Sequence, residues 1–364
     1  MDGLDNLSTI EERLCYKAAI KNIPLIGAFE LLPLCNMDCS MCYIRLTPEE
    51  MRKNGYIRSS KEWLSVAKEM KKEGTLYVLL TGGEPLLYNE FEEIYSGLRN
   101  MGMIVSINTN ATLIDDNVAD FLGKNKPRRV NVTLYGASNE TYEKVCKNSN
   151  GYDQTIKGIK LLRERNIDVK INVSLVKENI DDLPKMMDLA DQLEIPISVY
   201  TYMYPKARSV KRNFKSDCRI SPQQVAQIDN YVEYRIKTEE EFMNNRLKTL
   251  SLYEYEKNNE PPEFLPLQCR AGKCSFWINW KGNMTPCVFL DNIHDNVFEN
   301  RFRKSWDYIV KESNKILLPS DCASCDKRGV CQVCSASAYS ETGSMYRKPE
   351  YLCRLTEEML EILK

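Results

Sequence analysis

The chain is organised around one short stretch, Cys35-Asn36-Met37-Asp38-Cys39-Ser40-Met41-Cys42-Tyr43. Its three cysteines are separated by three and then by two residues. Three thiolates on one short loop can hold three irons of a four-iron cluster and leave the fourth iron open to a small molecule, whereas a closed structural site needs four protein ligands. A zinc knuckle or a chance grouping is the alternative interpretation. The spacing favours a cluster with one open iron.

Composition and charge narrow the class of protein. The chain has 364 residues, of which 43% are hydrophobic, and 50 Lys and Arg stand against 51 Asp and Glu. This is enough for one large and one small domain, and the balanced charge argues against nucleic acid or an anionic membrane as the main partner. No apolar run reaches membrane-spanning length and the N-terminus lacks a signal-peptide core, so we expect a cytoplasmic protein.

The usage of cysteine and histidine points to metal chemistry. Fourteen cysteines are many for a cytosolic chain, and because thiols stay reduced there, metal binding is a better explanation than disulfides. The single histidine, His294, disfavours a His-rich zinc site or a His-based triad and is expected to be a solvated loop residue.

Strands and helices alternate through the first half of the chain. We expect strands at Pro24–Leu32, Leu76–Leu80, Ile104–Asn108, Arg129–Leu134, Val169–Val173 and Ile197–Tyr202. Helical spacing is present at 7–22, Ser60–Lys72, Phe91–Met101, Asp115–Gly123, Asn139–Cys146, Tyr152–Arg165 and Ile180–Leu193. Such alternation predicts an α/β fold with six parallel strands joined by right-handed helical crossovers.

Polar motifs follow the predicted strands at the ends where such folds carry chemistry. They are the cysteine loop, Thr81-Gly82-Gly83-Glu84-Pro85, Asn108-Thr109-Asn110, Thr133-Leu134-Tyr135-Gly136, Ser174, and Tyr202 with Tyr204. Glycines at 82 and 83 let the backbone approach a ligand, and their carbonyls can accept hydrogen bonds from an ammonium group. A strand-to-helix turn could use the same glycines for geometry alone. Their position after a strand, about forty residues beyond the cysteine loop, favours ligand binding.

The cysteine loop and the Gly82-Gly83-Glu84 turn together resemble the radical S-adenosylmethionine (SAM) enzymes. The resemblance implies a partial (β/α)6 barrel in which SAM binds the open iron and is split, after one-electron reduction, into methionine and a 5'-deoxyadenosyl radical. Gly82, Gly83 and Glu84 would hold the methionine amino group.

The resemblance also suggests further contacts with SAM and substrate. Met41 would lie beside the adenine, Thr133 near the ribose or carboxylate, Lys144 near the carboxylate, and Asn108 in the same pocket. A solvated helix position is the alternative for Lys144. Tyr135, Tyr202 and Tyr204 could line the substrate side, although plain packing explains aromatic residues at strand ends equally well.

The middle of the chain is expected to connect two domains. Pro205–Cys218 is basic and aperiodic, which favours a solvated loop over a contact with an acidic substrate. Ser221 and Pro222 form a helix start, and helix continues to about Glu256 before the loop Asn258–Pro266, which carries three prolines. The predicted domains are an N-terminal helical extension (1–23), the barrel (24–210), a helical bridge (211–266) and a cysteine-rich domain (267–364).

The last hundred residues resemble the SPASM domain, the auxiliary-cluster domain of radical SAM enzymes that modify peptides and proteins. Eight cysteines carry the resemblance: Cys269, Cys274, Cys287, Cys322, Cys325, Cys331, Cys334 and Cys353. Phe276–Pro286 is expected to form a hairpin that turns at Lys281-Gly282-Asn283, as the family also has. One departure is Cys331-Gln-Val-Cys334, where three intervening residues are usual, and it puts Cys334 in doubt as a ligand.

By this resemblance the chain would hold three [4Fe–4S] clusters, with SAM on the first. The first auxiliary cluster would use Cys269, Cys274, Cys287 and Cys334, and the second Cys322, Cys325, Cys331 and Cys353. Both would be fully ligated by protein, which suits electron transfer or structural support. Two zinc ions are the alternative, but the cysteine pairs are too close for a zinc ribbon. Cys15, Cys146 and Cys218 are left as ordinary thiols.

The implied function is an oxidoreductase that abstracts a hydrogen atom from a peptide or protein substrate. The first hypothesis is a cross-link installed in a ribosomally synthesised peptide, since Tyr135-Gly136-Ala137-Ser138 and Glu140-Thr141-Tyr142 are similar to the peptide-maturing members. Only about 25 residues precede strand one, so a leader peptide would bind a separate protein or the barrel itself. Flavodoxin or ferredoxin would donate electrons.

Three other functions are kept as alternatives. A sulfatase-maturing oxidation of Ser or Cys is disfavoured because the family has an aspartate directly after the third cysteine of the auxiliary set, whereas Val288 follows Cys287 here and Asp291 comes later. Dehydrogenation of a small alcohol is compatible with every motif. A non-catalytic metal-binding scaffold is disfavoured by the intact SAM motifs.

Overall fold

The structure, a computed structural model, describes residues 9–205 and 218–364. Its strands are β1 (Ile26–Glu30), β2 (Tyr77–Thr81), β3 (Ile104–Thr109), β4 (Arg129–Leu134), β5 (Val169–Ser174), β6 (Ile197–Tyr200), β7 (Ser275–Ile278), β8 (Asn283–Thr285) and β9 (Asp295–Asn296). The helices up to residue 192 are α1 (Ile10–Ile20), α2 (Pro48–Asn54), α3 (Ser60–Lys72), α4 (Phe91–Asn100), α5 (Asp116–Lys124), α6 (Asn139–Cys146), α7 (Gly151–Glu164) and α8 (Leu183–Gln192). The later helices are α9 (Pro222–Ile236), α10 (Glu239–Asn258), α11 (Val297–Asn300), α12 (Phe302–Ser313), α13 (Ser320–Ala323), α14 (Ser335–Thr342) and α15 (Glu350–Leu363).

The first six strands are neighbours in chain order and continue through β1 into β7, β8 and β9. Each successive pair from β1 to β5 is parallel. The predicted α/β class and the six barrel strands are therefore confirmed. The short helix α2 was not predicted, and a 3-10 turn at Ile180–Asp182 precedes α8 where one continuous helix was expected.

Alternation of side chains along β3 and β4 separates a buried face from a polar face. Val130, Val132 and Leu134 are fully buried, and the residues between them are only partly buried. The polar faces of the two strands meet where the amide of Asn131 donates to the Oδ1 atom of Asn108 at 2.8 Å. A half-polar face of this kind is what a ligand-binding strand end requires.

A hairpin extends the sheet beyond β1, because β7 pairs with β1 in parallel and with β8 in antiparallel. The indole N–H of Trp277 donates to the buried carboxylate of Glu30 at 3.0 Å, which joins β7 to β1. Gly282 turns the hairpin at φ +92°, and a Cβ there would lie 2.1 Å from the ring of Phe298. The predicted hairpin is thus confirmed.

The chain divides into two compact units. The first comprises Met1–Val173, Glu178–Ser198 and Cys269–Asn314, and the second comprises Ser174–Lys177, Val199–Gln268 and Lys315–Lys364. These units differ from the predicted domain boundaries, since the pairing of β7 with β1 brings the first part of the predicted cysteine-rich domain into the first unit. Residues 206–217 of the predicted basic loop lie outside the described residues.

The second unit is built on helices. Ser221 caps α9 as predicted, in a capping box with Gln224 and with Pro222 at the first helical position. Helix α15 packs against α9. The guanidinium of Arg219 pairs with Glu341 at 2.7 Å, and both side chains are nearly buried. Within the described ranges, the structure contains no helix of the length and apolarity needed to cross a membrane.

Candidate active site

The turn after β2 is held against the segment that leads from β1 into the cysteine loop. The backbone N–H of Gly83 donates to the Leu32 carbonyl at 2.8 Å, and that of Glu84 to the Leu34 carbonyl at 2.9 Å. A Cβ at position 83 would lie 2.1 Å from the Leu34 oxygen. Glycine is therefore required here by the close approach of two backbones, in addition to any contact with a ligand.

Glu84 is fully buried and its carboxylate is held from three sides. The Thr109 hydroxyl donates to Oε1 at 2.7 Å, and the backbone N–H groups of Asn110 and Leu86 donate at 2.8 and 3.1 Å. Burial raises the pKa of Glu84 to about 7, although these hydrogen bonds oppose the shift. A buried carboxylate poised near neutrality is suited to binding a cationic ligand group such as an ammonium.

The cysteine loop places two of its sulfurs on backbone donors. The N–H of Met37 points at the Sγ atom of Cys35 at 3.4 Å, and the N–H of Arg45 at that of Cys42 at 3.3 Å. Burial raises the pKa of Cys35 to about 12, and the neighbouring Glu84, Cys39 and Cys42 add to the shift. The loop thiols and Glu84 therefore share one site, in which metal binding would have to remove thiol protons.

Asn110 connects the carboxylate to the cysteine loop. Its backbone N–H binds Glu84, and its side-chain amide reaches the Oδ1 atom of Asn36 at 2.9 Å and the Sγ atom of Cys35 at 3.8 Å. Sequence reasoning chose Asn108 from the same polar strand end, whereas Thr109 and Asn110 make the contacts with Glu84. The signal was the consecutive run of polar residues 108–110, from which sequence reasoning selected only the first as a contact.

The other three predicted SAM contacts, Met41, Thr133 and Lys144, differ in how exposed they are. Met41 is buried, and Thr133 is partly buried on β4. Lys144 is exposed on α6 and pairs with Glu140 at 2.7 Å, which is the solvated helix position considered as its alternative. The structure thus brings the cysteine loop together with Glu84, and the roles of Met41, Thr133 and Lys144 stay predictions.

The predicted substrate-side tyrosines have protein partners. Tyr135 packs its ring edge-on against Tyr142 with centroids 6.0 Å apart. In the second unit the Tyr202 hydroxyl donates to Glu341 at 2.7 Å, and its ring lies 4.8 Å from that of Tyr204. Their contribution to substrate binding stays a prediction.

A cavity of about 170 Å³ in the second unit gathers the predicted ligands of the second auxiliary cluster. Its lining includes Cys322, Cys325, Cys331 and Cys353. The backbone N–H of Lys327 points at the Sγ atom of Cys325 at 3.4 Å. Burial raises the pKa of Cys322 to about 12, and the other three cysteines add to it in the order Cys353, Cys331, Cys325. A pocket that has four cysteines among its lining residues is compatible with a fully ligated cluster, which stays a prediction.

The first auxiliary set is divided between the units. Cys269, Cys274 and Cys287 belong to the first unit and Cys334 to the second, so this set stays a prediction. Cys274 is fully buried in a small apolar cluster with Cys15, Ala18 and Leu25. Cys334 caps α14, and its sulfur accepts the N–H of Ser337 at 3.4 Å.

The thiols that the sequence left without a metal role are buried, and His294 is exposed. Cys15, Cys146 and Cys218 all lie in the interior. Considering residues 9–205 and 218–364, no three Cys, His, Asp or Glu side chains converge as a site for one metal ion. A four-iron cluster is held by thiolates spread around its corners, and the role of the cysteine sets as cluster ligands stays a prediction.

A parallel sheet that carries a three-cysteine loop and a buried carboxylate at one end is the arrangement that the sequence analysis expected of an enzyme that binds SAM on an iron–sulfur cluster. Residues 29–190 match the model of the Radical SAM superfamily. These residues form a radical SAM domain, and that superfamily implies SAM and a [4Fe–4S] cluster.

Similarity to individual proteins extends over both units. The chain is 24% identical over 349 residues to the AdoMet-dependent heme synthase of Methanosarcina barkeri (strain Fusaro / DSM 804), and the match covers 92% of this chain and 97% of that protein. Streptococcus suis SuiB bound to precursor peptide SuiA has a TM-score of 0.69 at 20% identity and covers 96% of this chain and 82% of its own. Native anSMEcpe with bound AdoMet and Kp18Cys peptide has a TM-score of 0.65 at 18% identity. That match covers 93% of this chain and 96% of the anSMEcpe chain. At these identities the two structures share the fold.

Proposed function

We propose that this radical SAM enzyme oxidises a peptide substrate and installs a cross-link in a ribosomally synthesised peptide. The observation that carries the oxidative part is the cavity lined by Cys322, Cys325, Cys331 and Cys353. A second, fully ligated cluster there is suited to taking up an electron, because it offers no open iron to a substrate. When bound, SAM and the clusters supply a 5'-deoxyadenosyl radical and an acceptor for the electron that the substrate radical gives up.

The residues of the first unit bind and orient the cofactor in this proposal. The Gly82-Gly83 turn offers backbone carbonyls to the methionine ammonium, and Glu84 supplies the opposite charge from a site that Thr109 and Asn110 hold in place. A carboxylate fixed in advance loses little freedom when SAM binds, and burial strengthens its attraction for the ammonium.

A peptide substrate is supported by solved structures that share this fold and contain a bound peptide. Two of the solved structures with this fold carry peptides, SuiA on SuiB and Kp18Cys peptide on anSMEcpe. We therefore propose a peptide substrate, a separate leader-binding protein or the barrel as its docking site, and flavodoxin or ferredoxin as electron donor.

The first experiment measures the intact mass of a short peptide encoded beside this gene after anaerobic co-expression with the protein. Loss of two hydrogens per modification, absent with the Cys39→Ala variant, is the expected result. Fragmentation of the peptide then locates the linked residues. An unchanged mass together with no deuterium uptake, which would report epimerisation, contradicts a peptide-modifying function.

A second candidate function is formation of haem. The supporting observation is the length of the match to the AdoMet-dependent heme synthase, which spans nearly all of both chains. The test is anaerobic expression of this chain in a haem-deficient host, followed by assay of extracted haem. Haem restored by the wild type and absent with Cys39→Ala would favour this candidate over the peptide.

A further inference from the structure

Cys274 lies directly before β7, where the chain already pairs with β1. The backbone N–H of Ile26 donates to the Cys274 carbonyl at 3.0 Å, which continues the ladder between the two strands. Burial alternates from this residue onward, since Cys274, Phe276 and Ile278 are buried and the residues between them are only partly buried. Because successive side chains of an extended chain point to opposite faces, Cys274 shares the face of Phe276.

Helices cover this face of the sheet. Phe276 packs edge-on against Phe302 of α12, with ring centroids 5.2 Å apart. Cys274 belongs to an apolar cluster whose other buried members are Cys15, Ala18 and Leu25, and against which Ala19, Ile23, Ile26, Leu76 and Tyr77 pack. The neighbours of the Cys274 side chain therefore lie on α1 and around the starts of β1 and β2.

An iron–sulfur cluster requires space beside each sulfur that binds it. Cys274 is 0% exposed, so not even a water molecule reaches its sulfur. The predicted ligands of the second auxiliary cluster differ, because they line a cavity of about 170 Å³ and each keeps some exposed surface, 7% for the most buried of them, Cys322. A free thiol enclosed by apolar side chains behaves as a small hydrophobic residue. The surroundings of Cys274 thus do not fit a cluster ligand.

We propose that Cys274 is a core residue that packs α1 against the start of β7, and that it is not a ligand of the first auxiliary cluster. The predicted set for that cluster then falls from four thiols to three, namely Cys269, Cys287 and Cys334. The set predicted for the second cluster keeps four. This inference concerns only which thiols bind iron, so it is independent of the peptide substrate proposed above.

A ligand and a core residue respond in opposite ways to two substitutions. Valine places an apolar side chain of similar size among the apolar neighbours, but it has no atom that binds iron. Serine keeps an atom that can bind iron, but it buries a hydroxyl among apolar side chains, which destabilises the fold. A ligand would therefore tolerate Cys274→Ser better than Cys274→Val, and a core residue would tolerate Cys274→Val better.

The test measures iron and sulfide per chain after anaerobic reconstitution, together with the midpoint of thermal unfolding. Cys274→Val should hold as much iron as the wild type and unfold at a similar temperature. Cys274→Ser should unfold several degrees lower. The matched control is Cys287→Val, which changes a partly exposed cysteine of the same predicted set and should lose the iron of one cluster.

Three outcomes would overturn the proposal. The first is a folded Cys274→Val protein that lacks the iron of one cluster. The second applies if Cys274→Val does not fold, and is the same loss of iron in a folded Cys274→Ala protein, whose smaller side chain cannot clash with α1. The third is wild-type iron in Cys287→Val, which contradicts the three-thiol set. All three are read from iron content, whereas failure of the proposed function is read from the mass of the peptide.

Discussion

Each of the two units contains a group of cysteines, but the residues next to the cysteines differ between the units. In the first unit three thiols on one loop share their site with the buried carboxylate of Glu84. In the second unit four thiols line one cavity, together with the basic side chains of Lys327 and Arg328. The first site joins predicted metal ligands to a group that can bind a cationic small molecule, and the second joins predicted metal ligands to each other.

This difference accounts for how one chain could start and finish an oxidation. A three-thiol site leaves an iron free for a ligand, and the adjacent carboxylate helps to select one with an ammonium group. A four-thiol site leaves no such position and is suited to exchange electrons only. Substitutions that affect only one of the two sites therefore test whether the first binds SAM and the second exchanges electrons.

The largest effect is expected from Cys39→Ala, which removes a predicted ligand of the open cluster. With two thiolates left the cluster should not assemble in an active form, and 5'-deoxyadenosine should fall to background in an anaerobic assay with dithionite. Cys218→Ala serves as the control, since it is a buried thiol of the second unit. SAM cleavage that persists in Cys39→Ala would contradict the role of the loop.

Cys325→Ala should separate the two sites. It removes one wall of the four-thiol cavity, so the iron content should fall while SAM cleavage continues from the intact loop. The oxidised product should be lost, which the ratio of modified peptide to 5'-deoxyadenosine measures. The neighbouring exposed Ser324 gives a matched control as Ser324→Ala. Product formation at the wild-type ratio in Cys325→Ala would remove the proposed electron acceptor.

Much of the first unit was predictable because local patterns determine it. Apolar strands such as β4, separated by amphipathic helices, are typical of an α/β fold with a parallel sheet. The helix starts at Ser59 and Ser221 carry complete capping boxes. The cysteine loop and the Gly83 turn were found for the same reason, since their spacing lies within a few residues.

The parts that sequence reasoning missed depend on contacts between distant segments. Nothing local to Trp277 shows that its strand pairs with β1 some 250 residues earlier, and this pairing moves residues 269–314 into the first unit. The same is true of Asn110 on Cys35 and of the Cys146 carbonyl on Asp38, where α6 meets the loop. A lone polar residue or cysteine carries no signal of such a partner.

Glu84→Gln should lower the affinity for SAM and remove its pH dependence. A hydrogen bond to a charged group contributes about 1.5–3 kcal/mol, so the loss should be roughly tenfold or more. Because burial raises the pKa of Glu84 to about 7, the wild type should bind SAM more weakly as the pH falls from 8 to 6 and the carboxylate takes up a proton. Anaerobic calorimetry on the reconstituted protein measures both effects. A variant with wild-type affinity at pH 8 would exclude a contact with the ammonium.

The second unit has its own partly buried carboxyl group, Asp229, which accepts a hydrogen bond from the Thr201 hydroxyl at 2.8 Å. Burial raises its pKa from 3.8 to about 6. This group differs from Glu84 in its proposed role, because no cofactor contact is assigned to it. Asp229→Asn should therefore keep the affinity for SAM, which makes it the control for Glu84→Gln.

The smallest expected effect is on stability, in the same Asp229→Asn variant. A raised pKa means that the folded state holds the proton of Asp229 more tightly than the unfolded state does. The contribution of this group to the stability of the fold is therefore greatest at low pH, and it is lost as the pH rises through about 6. The variant should be more stable than the wild type by about 1–2 kcal/mol at pH 8, and the gap should close towards pH 4. Anaerobic denaturant unfolding at several pH values measures the gap, with the exposed Glu254→Gln as a control that should show none. If the difference in stability between the variant and the wild type does not change with pH, the substitution acts through packing, and the charge of Asp229 does not destabilise the fold.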